Sequence, residues 1–168
     1  MDILISEKEL QKRVKLLGEE ITKAYEGKPL LMLCMLKGAS VFFADLIRNV
    51  SLPLEIDFMR VSSYENSTES NGEVKFLLYP SLPLAKYHVL LVEDILDTGT
   101  TLYTVIPELL KQNPLSLKIC TLLDKKERRK FPVEAEYVGF SIPDVFVVGY
   151  GLDYAEKERN LPYIGKYI

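Results

Sequence analysis

Two uninterrupted apolar runs, PLLMLCML at 29–36 and YHVLLV at 87–92, restrict the folds open to this chain more than any other feature. Each is as long as a strand and neither alternates with polar residues, which is the pattern of a strand covered on both faces. Between them, ASVFFADLIRNV (39–50) reads as a helix. LEIDFMRV (54–61) has strand periodicity, with Leu54, Ile56 and Phe58 expected inward against Glu55 and Asp57. Ahead of both, SEKELQKRVKLLGEEITKAYEG pairs Ser6 with Glu9 in a capping box. Its apolar residues Leu10, Val14, Leu17 and Ile21 form one stripe of an amphipathic helix that Gly27 ends. After YHVLLV comes a helix with Leu102, Val105, Ile106, Leu109 and Leu110 at apolar positions, then strand candidates at 115–123, 137–142 and 145–151. Strands alternating with helices predict an α/β fold, a mostly parallel, doubly wound sheet flanked by helices. No internal repeat or linker interrupts residues 1–168, so a single domain is expected.

Charge narrows the function classes. With 24 acidic and 21 basic residues the net charge is -3, so neither nucleic acid nor a membrane surface is an expected partner. MDILISEKEL is charged from residue 2 and has no apolar stretch of signal-peptide length, which favours a cytoplasmic location. Cys34 and Cys120 sit in apolar runs and read as buried small hydrophobes. His88 has no second His or Cys nearby and reads as a strand residue. SSYENSTESNGE (62–73) has Tyr64 as its one hydrophobic anchor and cannot bury itself. A flexible loop at about 62–75 follows, open to two readings: an active-site lid or a plain hairpin tip. VKFLLY then returns as a strand, and Pro80 and Pro83 mark a further connection.

The run LLVEDILDTGTT (90–101) carries the chemistry. In doubly wound sheets ligands bind outside the carboxyl ends of the strands, and Glu93 and Asp94 lie at such an end. DTGTT (97–101) then opens into a helix, where unpaired amides and the positive dipole end suit a phosphate, with the Thr98, Thr100 and Thr101 hydroxyls as further donors. The loop has no Lys and no GxxxxGK[ST] spacing, so it is not a nucleoside-triphosphate loop. Phosphate-binding amides beside paired carboxylates suit a phosphorylated sugar, whose hydroxyls the acids would accept.

VEDILDTGTTL (92–102) resembles the phosphoribosyl-pyrophosphate signature of the type I phosphoribosyltransferases, in the form carried by the 6-oxopurine, or hypoxanthine-guanine, branch. MLKGA (35–39), SSY (62–64), LLDK (122–125) and VGFSIPDVFVVGYGLDY (138–154) are similar to segments of that family in the same order, followed by Arg159. The resemblance implies the type I fold, with a small hood formed by the chain ends. It also implies transfer of a phosphoribosyl group from phosphoribosyl pyrophosphate to hypoxanthine, and to guanine, giving IMP (GMP) and pyrophosphate.

By the same resemblance, Asp97, Thr98, Gly99, Thr100 and Thr101 hold the 5′-phosphate, and Asp97 also acts as general base toward purine N7. Glu93 and Asp94 face the ribose, directly or through hydrated Mg²⁺, and Asp153 is a ligand of a second Mg²⁺. Lys37, Gly38 and Arg159 bind pyrophosphate, with Ser63 and Tyr64 as the flexible-loop pair. Lys125, Phe146, Val147 and Asp153 receive the purine, Lys125 donating to O6 and Phe146 stacking. Relatives resembling this chain form homodimers or homotetramers.

Read without the resemblance, Gly38 suits an ordinary strand-to-helix turn, Phe146 core packing, and KKERRK (125–130) a solvated basic run. Thr100 stands where some relatives carry Lys or Arg. FLLYPSLPLAKYH (76–88) is unusually apolar and proline-interrupted and suits a subunit contact. Two rival readings remain from the sequence: an RNA-binding regulator using KKERRK, and transfer to xanthine or another base.

Overall fold

The computed structural model describes residues 1–63 and 74–167. Its elements run β1 (Asp2–Ile5), α1 (Glu7–Ala24), β2 (Leu30–Leu36), α2 (Ser40–Ile47), β3 (Leu54–Ser63), β4 (Val74–Leu78) and β5 (His88–Leu96). They continue α3 (Thr100–Leu110), β6 (Ser116–Asp124), β7 (Tyr137–Ser141), β8 (Val147–Val148) and β9 (Ile164–Lys166). The central sheet has the order β4-β3-β2-β5-β6-β7. Every pairing in it is parallel except the edge hairpin of β3 with β4. Residues of β1, β9 and β8 form a separate three-stranded sheet that joins the chain ends, the expected hood.

β2 and the first half of β5 are buried almost without a break, as their uninterrupted apolar runs require. Helices supply the cover. On one face α1 and α2 pack through Leu10, Leu17, Phe42 and Leu46 onto Met32, Cys34, Leu90 and Val92. On the other, Leu102, Val105 and Leu109 of α3 pack with Leu31, Leu33, Val89 and Leu91. Alternate residues of the same strands therefore feed two cores, as the twofold period of a strand dictates. Ser6 caps α1 in the expected box, its Oγ accepting from Glu9 N at 3.3 Å. Both cysteines are free and buried, and His88 Nδ1 lies 2.7 Å from Ser116 Oγ on the neighbouring strand.

Two local expectations are corrected. On β3, Leu54 and Phe58 pack against the core as expected, but Ile56 is exposed, while Asp57 and Met59 are buried. Asp57 turns inward because its carboxylate accepts from Ser81 N at 2.7 Å and Leu82 N at 2.8 Å, fastening the proline-bounded connection. Burial of a carboxylate is tolerated when amides satisfy it. The strand expected at 145–151 shortens to Val147–Val148 and joins the hood. Gly149 and Gly151 stop it, having φ of 95° and 106°. At the proposed flexible loop, Ser62 and Ser63 pair with Lys75 and Val74 as strand ends. The rest of that segment, Tyr64 included, lies outside the described residues.

Candidate active site

β2 neighbours β3 on one side and β5 on the other, so the chain reverses its winding direction between β2 and β5. Pairing of these two strands ends at Cys34 with Val92. Beyond that pair the strands part, opening a crevice of about 320 Å³ lined by Met35, Leu36, Gly38, Val61 and the whole run 93–102. This is the switch-point position at which open α/β sheets bind ligands.

Glu93 and Asp94 occupy its floor. Glu93 is buried, and desolvation together with the Asp94 charge holds its carboxyl well above the usual carboxylate range. Asp94 is half-buried and is pushed up to about 6, chiefly by burial, with Asp153 adding to the effect and Arg159 opposing it. Ile95 N donates to Asp94 Oδ1 at 2.7 Å, fixing the carboxylate.

Gly99 turns the chain at φ 84° and α3 starts at Thr100. The left-handed conformation is one that a glycine adopts without penalty. Thr100 N donates to Thr98 Oγ1 at 3.3 Å, and the two hydroxyl oxygens are 2.9 Å apart. The first amides of α3 have no carbonyl one turn back to take, which leaves donors at the crevice wall.

Lys37, Gly38, Asp153 and Arg159 come together at the C-terminal end of β2. The Leu36–Lys37 peptide is cis. Lys37 Nζ lies 2.7 Å from Glu156 Oε2, and Arg159 Nη2 lies 3.0 Å from Glu156 Oε1 and 3.2 Å from Asp153 Oδ1. Arg159 Nη1 donates to Gly151 O at 2.8 Å, while its Nε is buried with no partner among the described residues.

The residues expected to receive the purine do not line the crevice itself. Lys125 is buried at the end of β6 and its amide donates to Leu96 O at 2.9 Å. Its Nζ reaches Asp144 Oδ1 at 3.9 Å. Val147 is buried in β8, whereas Phe146 is half exposed. The Phe146 ring packs against Tyr154 and Tyr167, centroids 5.7 and 5.8 Å away, around a surface notch of about 290 Å³. Ser63 ends β3, its backbone paired with Val74.

Three residues that sequence reasoning passed over complete the surroundings. Glu156 bridges Lys37 and Arg159. Arg129 Nε donates to the Asp97 carbonyl at 3.1 Å, and its Nη2 pairs with the buried Asp124. Arg128 Nε lies 3.1 Å from Asp97 Oδ1, and its Nη1 lies 3.6 Å from Asp144 Oδ1. KKERRK is therefore not a uniformly solvated run: Lys126, Arg128 and Lys130 are exposed, but Lys125 is buried and Arg129 is half-buried. Nothing in the spacing of that run sets Arg128 and Arg129 apart from their solvated neighbours.

Among the described residues, no three His, Cys, Asp or Glu side chains converge as a cage for a metal ion. Adjacent acids in an open crevice do fit Mg²⁺, which takes one or two carboxylates and completes its shell with water and phosphate oxygens. No helix among the described residues is long and apolar enough to cross a membrane.

The phosphoribosyl transferase domain family matches residues 2–155. The chain is 51% identical over 164 residues to the hypoxanthine-guanine phosphoribosyltransferase of Staphylococcus aureus, covering 98% of this chain and 92% of that one. It is 50% identical over 168 residues to the hypoxanthine phosphoribosyltransferase of Buchnera aphidicola, covering 99% and 95%. The crystal structure of a Bacillus anthracis hypoxanthine-guanine phosphoribosyltransferase with HEPES in its active site superposes with a TM-score of 0.96 at 48% identity, covering 100% of this chain and 99% of that one. The chain therefore belongs to the phosphoribosyltransferases, in the hypoxanthine-guanine branch. It is an enzyme of small-molecule substrates.

Proposed function

We propose that this protein transfers the 5-phosphoribosyl group of phosphoribosyl pyrophosphate to hypoxanthine, and to guanine, releasing pyrophosphate and forming IMP or GMP. The observation that carries the reading is the crevice between β2 and β5, which paired acids and the 97–101 turn line together.

In this reading the 97–101 amides and the Thr98, Thr100 and Thr101 hydroxyls hold the 5′-phosphate. Glu93 and Asp94 lie under the ribose. As the bond from C1′ to the pyrophosphate oxygen breaks, positive charge grows on the ring, and these carboxylates stabilise it more than they stabilise the ground state. Purine N9 forms the new bond to C1′, and Asp97 takes the proton leaving N7. Proton removal of this kind contributes roughly 10²–10⁴ in rate. Lys37, Gly38 and Arg159 hold the departing pyrophosphate, and Ser63 and Tyr64 are proposed to contribute to its binding.

Lys125 donates to O6. A lysine donor accepts a 6-oxopurine and disfavours adenine, whose 6-amino group is itself a donor. Phe146 stacks on the base, with Val147 and Asp153 at its edge. Mg²⁺ held at Glu93 and Asp94, and a second at Asp153, would neutralise charge on the substrate phosphates. A single domain, a homodimer or homotetramer and a cytoplasmic location belong to the same proposal. Free buried cysteines and the exposed apolar edge at Leu77, Leu78 and Tyr79 support the last two points.

The test mixes purified protein with phosphoribosyl pyrophosphate, Mg²⁺ and each of hypoxanthine, guanine, xanthine and adenine, and follows absorbance. Nucleotide formation with hypoxanthine is expected. Inertia toward all four bases would reject the proposal.

A further inference from the structure

Asp97 is gripped from the segment after β6 in two ways. Its backbone carbonyl accepts from Arg129 Nε at 3.1 Å, and Arg129 is itself anchored on buried Asp124 and on the Val133 carbonyl. Its side chain is met by the neighbouring arginine alone: Arg128 Nε stands 3.1 Å from Oδ1, and among the described residues no other cation lies within ion-pair distance of this carboxylate. Oδ1 is buried and accepts no aligned hydrogen bond. The guanidinium thus meets the oxygen off the N–H axis, setting where the carboxylate sits while leaving a lone pair unspent.

Arg128 has a second connection. Its Nη1 lies 3.6 Å from Asp144 Oδ1, and the same oxygen is 3.9 Å from Lys125 Nζ. Asp97, Arg128, Asp144 and Lys125 therefore form one chain of alternating charge from the crevice to the buried lysine. On a 6-oxopurine N7 and O6 are neighbours on one edge, so the chain joins the two groups that would read that edge.

We propose that Arg128 is a positioning residue for Asp97, holding the carboxylate in line with purine N7 and in register with the Lys125 ammonium. This rests on the reading that Asp97 accepts the N7 proton. A half-exposed pair is worth little to stability, so its use lies in geometry. A misplacement of about 1 Å at a reacting group can cost about 10²-fold in rate.

The experiment compares R128Q, R128K, D97N and D97N/R128Q in the complete, Mg²⁺-loaded enzyme, with kcat, KM for each substrate and melting temperature measured. R128Q is expected to lower kcat roughly 10- to 100-fold. KM for phosphoribosyl pyrophosphate should change less than about 3-fold, because ground-state binding is untouched. R128K should recover part of kcat, since it restores charge without the planar fork. In the D97N background R128Q should cost less than about 2-fold more, the non-additivity of residues acting through one another. Overturning results are unchanged kcat in R128Q, a full further loss in the double variant, or a raised KM for phosphoribosyl pyrophosphate with kcat intact, which would make Arg128 a phosphate ligand. Wild-type turnover in D97N would instead remove the general-base reading, and is read separately from the R128Q result.

Discussion

A Cβ on Gly38 would stand 1.8 Å from Asp94 Oδ2, so the turn after β2 and the acid at the end of β5 occupy adjoining space with no room for a methyl group. Gly38→Ala must displace either the turn that carries Lys37 or the Asp94 carboxylate. A loss of about 100-fold in kcat/KM is expected, with far-UV circular dichroism unchanged. Full activity in that variant would show that the turn and the acid are not coupled.

Asp94 also sets a dependence of stability on pH. Its carboxyl is raised from 3.8 to about 6, mainly by burial, so the folded protein holds this proton more tightly than the unfolded chain. The ionised group opposes folding in full above pH 6, and that penalty fades as pH falls from about 6 toward 3.8. Asp94→Asn should therefore make the metal-free protein more stable at pH 8 by on the order of 1–3 kcal/mol, and the gain should shrink toward pH 4. Calorimetry of both proteins at the two pH values gives the comparison; a gain that does not vary with pH contradicts it.

Glu156 neutralises Lys37 and Arg159, the two cations assigned to pyrophosphate. Both partners hold its carboxyl below the usual range, Lys37 more strongly. An incoming pyrophosphate must take these cations from it. Glu156→Gln should tighten inhibition by free pyrophosphate about 3- to 10-fold, because a competing surface charge is removed. Product-inhibition kinetics would reveal it, and weaker inhibition would count against the competition.

Lys125 is buried, and its nearest carboxylate is 3.9 Å away. Lys125→Met keeps the shape and removes a charge that is costly to bury. The melting temperature should hold or rise, while kcat/KM for hypoxanthine falls at least about 10-fold through loss of the O6 donor. Retained discrimination between hypoxanthine and adenine would exclude Lys125 from base selection.

Legibility in the sequence followed burial. LLMLCML and HVLLV announced the central strands because a strand covered on both faces has no polar residue to spare, and Ser6 with Glu9 announced the start of α1. Alternation failed at Ile56 and Asp57, because the amides of Ser81 and Leu82 that draw Asp57 inward come from 24 and 25 residues downstream. The acids and the glycine turn of 93–101 could be read as one group because a single strand-to-helix junction carries them. Arg128 and Glu156 could not: each acquires its partner through tertiary contact, and neither KKERRK nor AEKERN has a spacing that separates a working charge from a solvated one.

The carbonyls of Leu96 and Thr98 receive the amides of Lys125, Lys130 and Phe131, at 2.9 to 3.2 Å. The 93–101 junction and the segment after β6, proposed to meet sugar and base, are thus stitched by peptide groups, whose dimensions no side-chain replacement alters. The span a nucleophile must cross is fixed like a gauge block when the chain folds, and point substitutions can retune selectivity without resetting it.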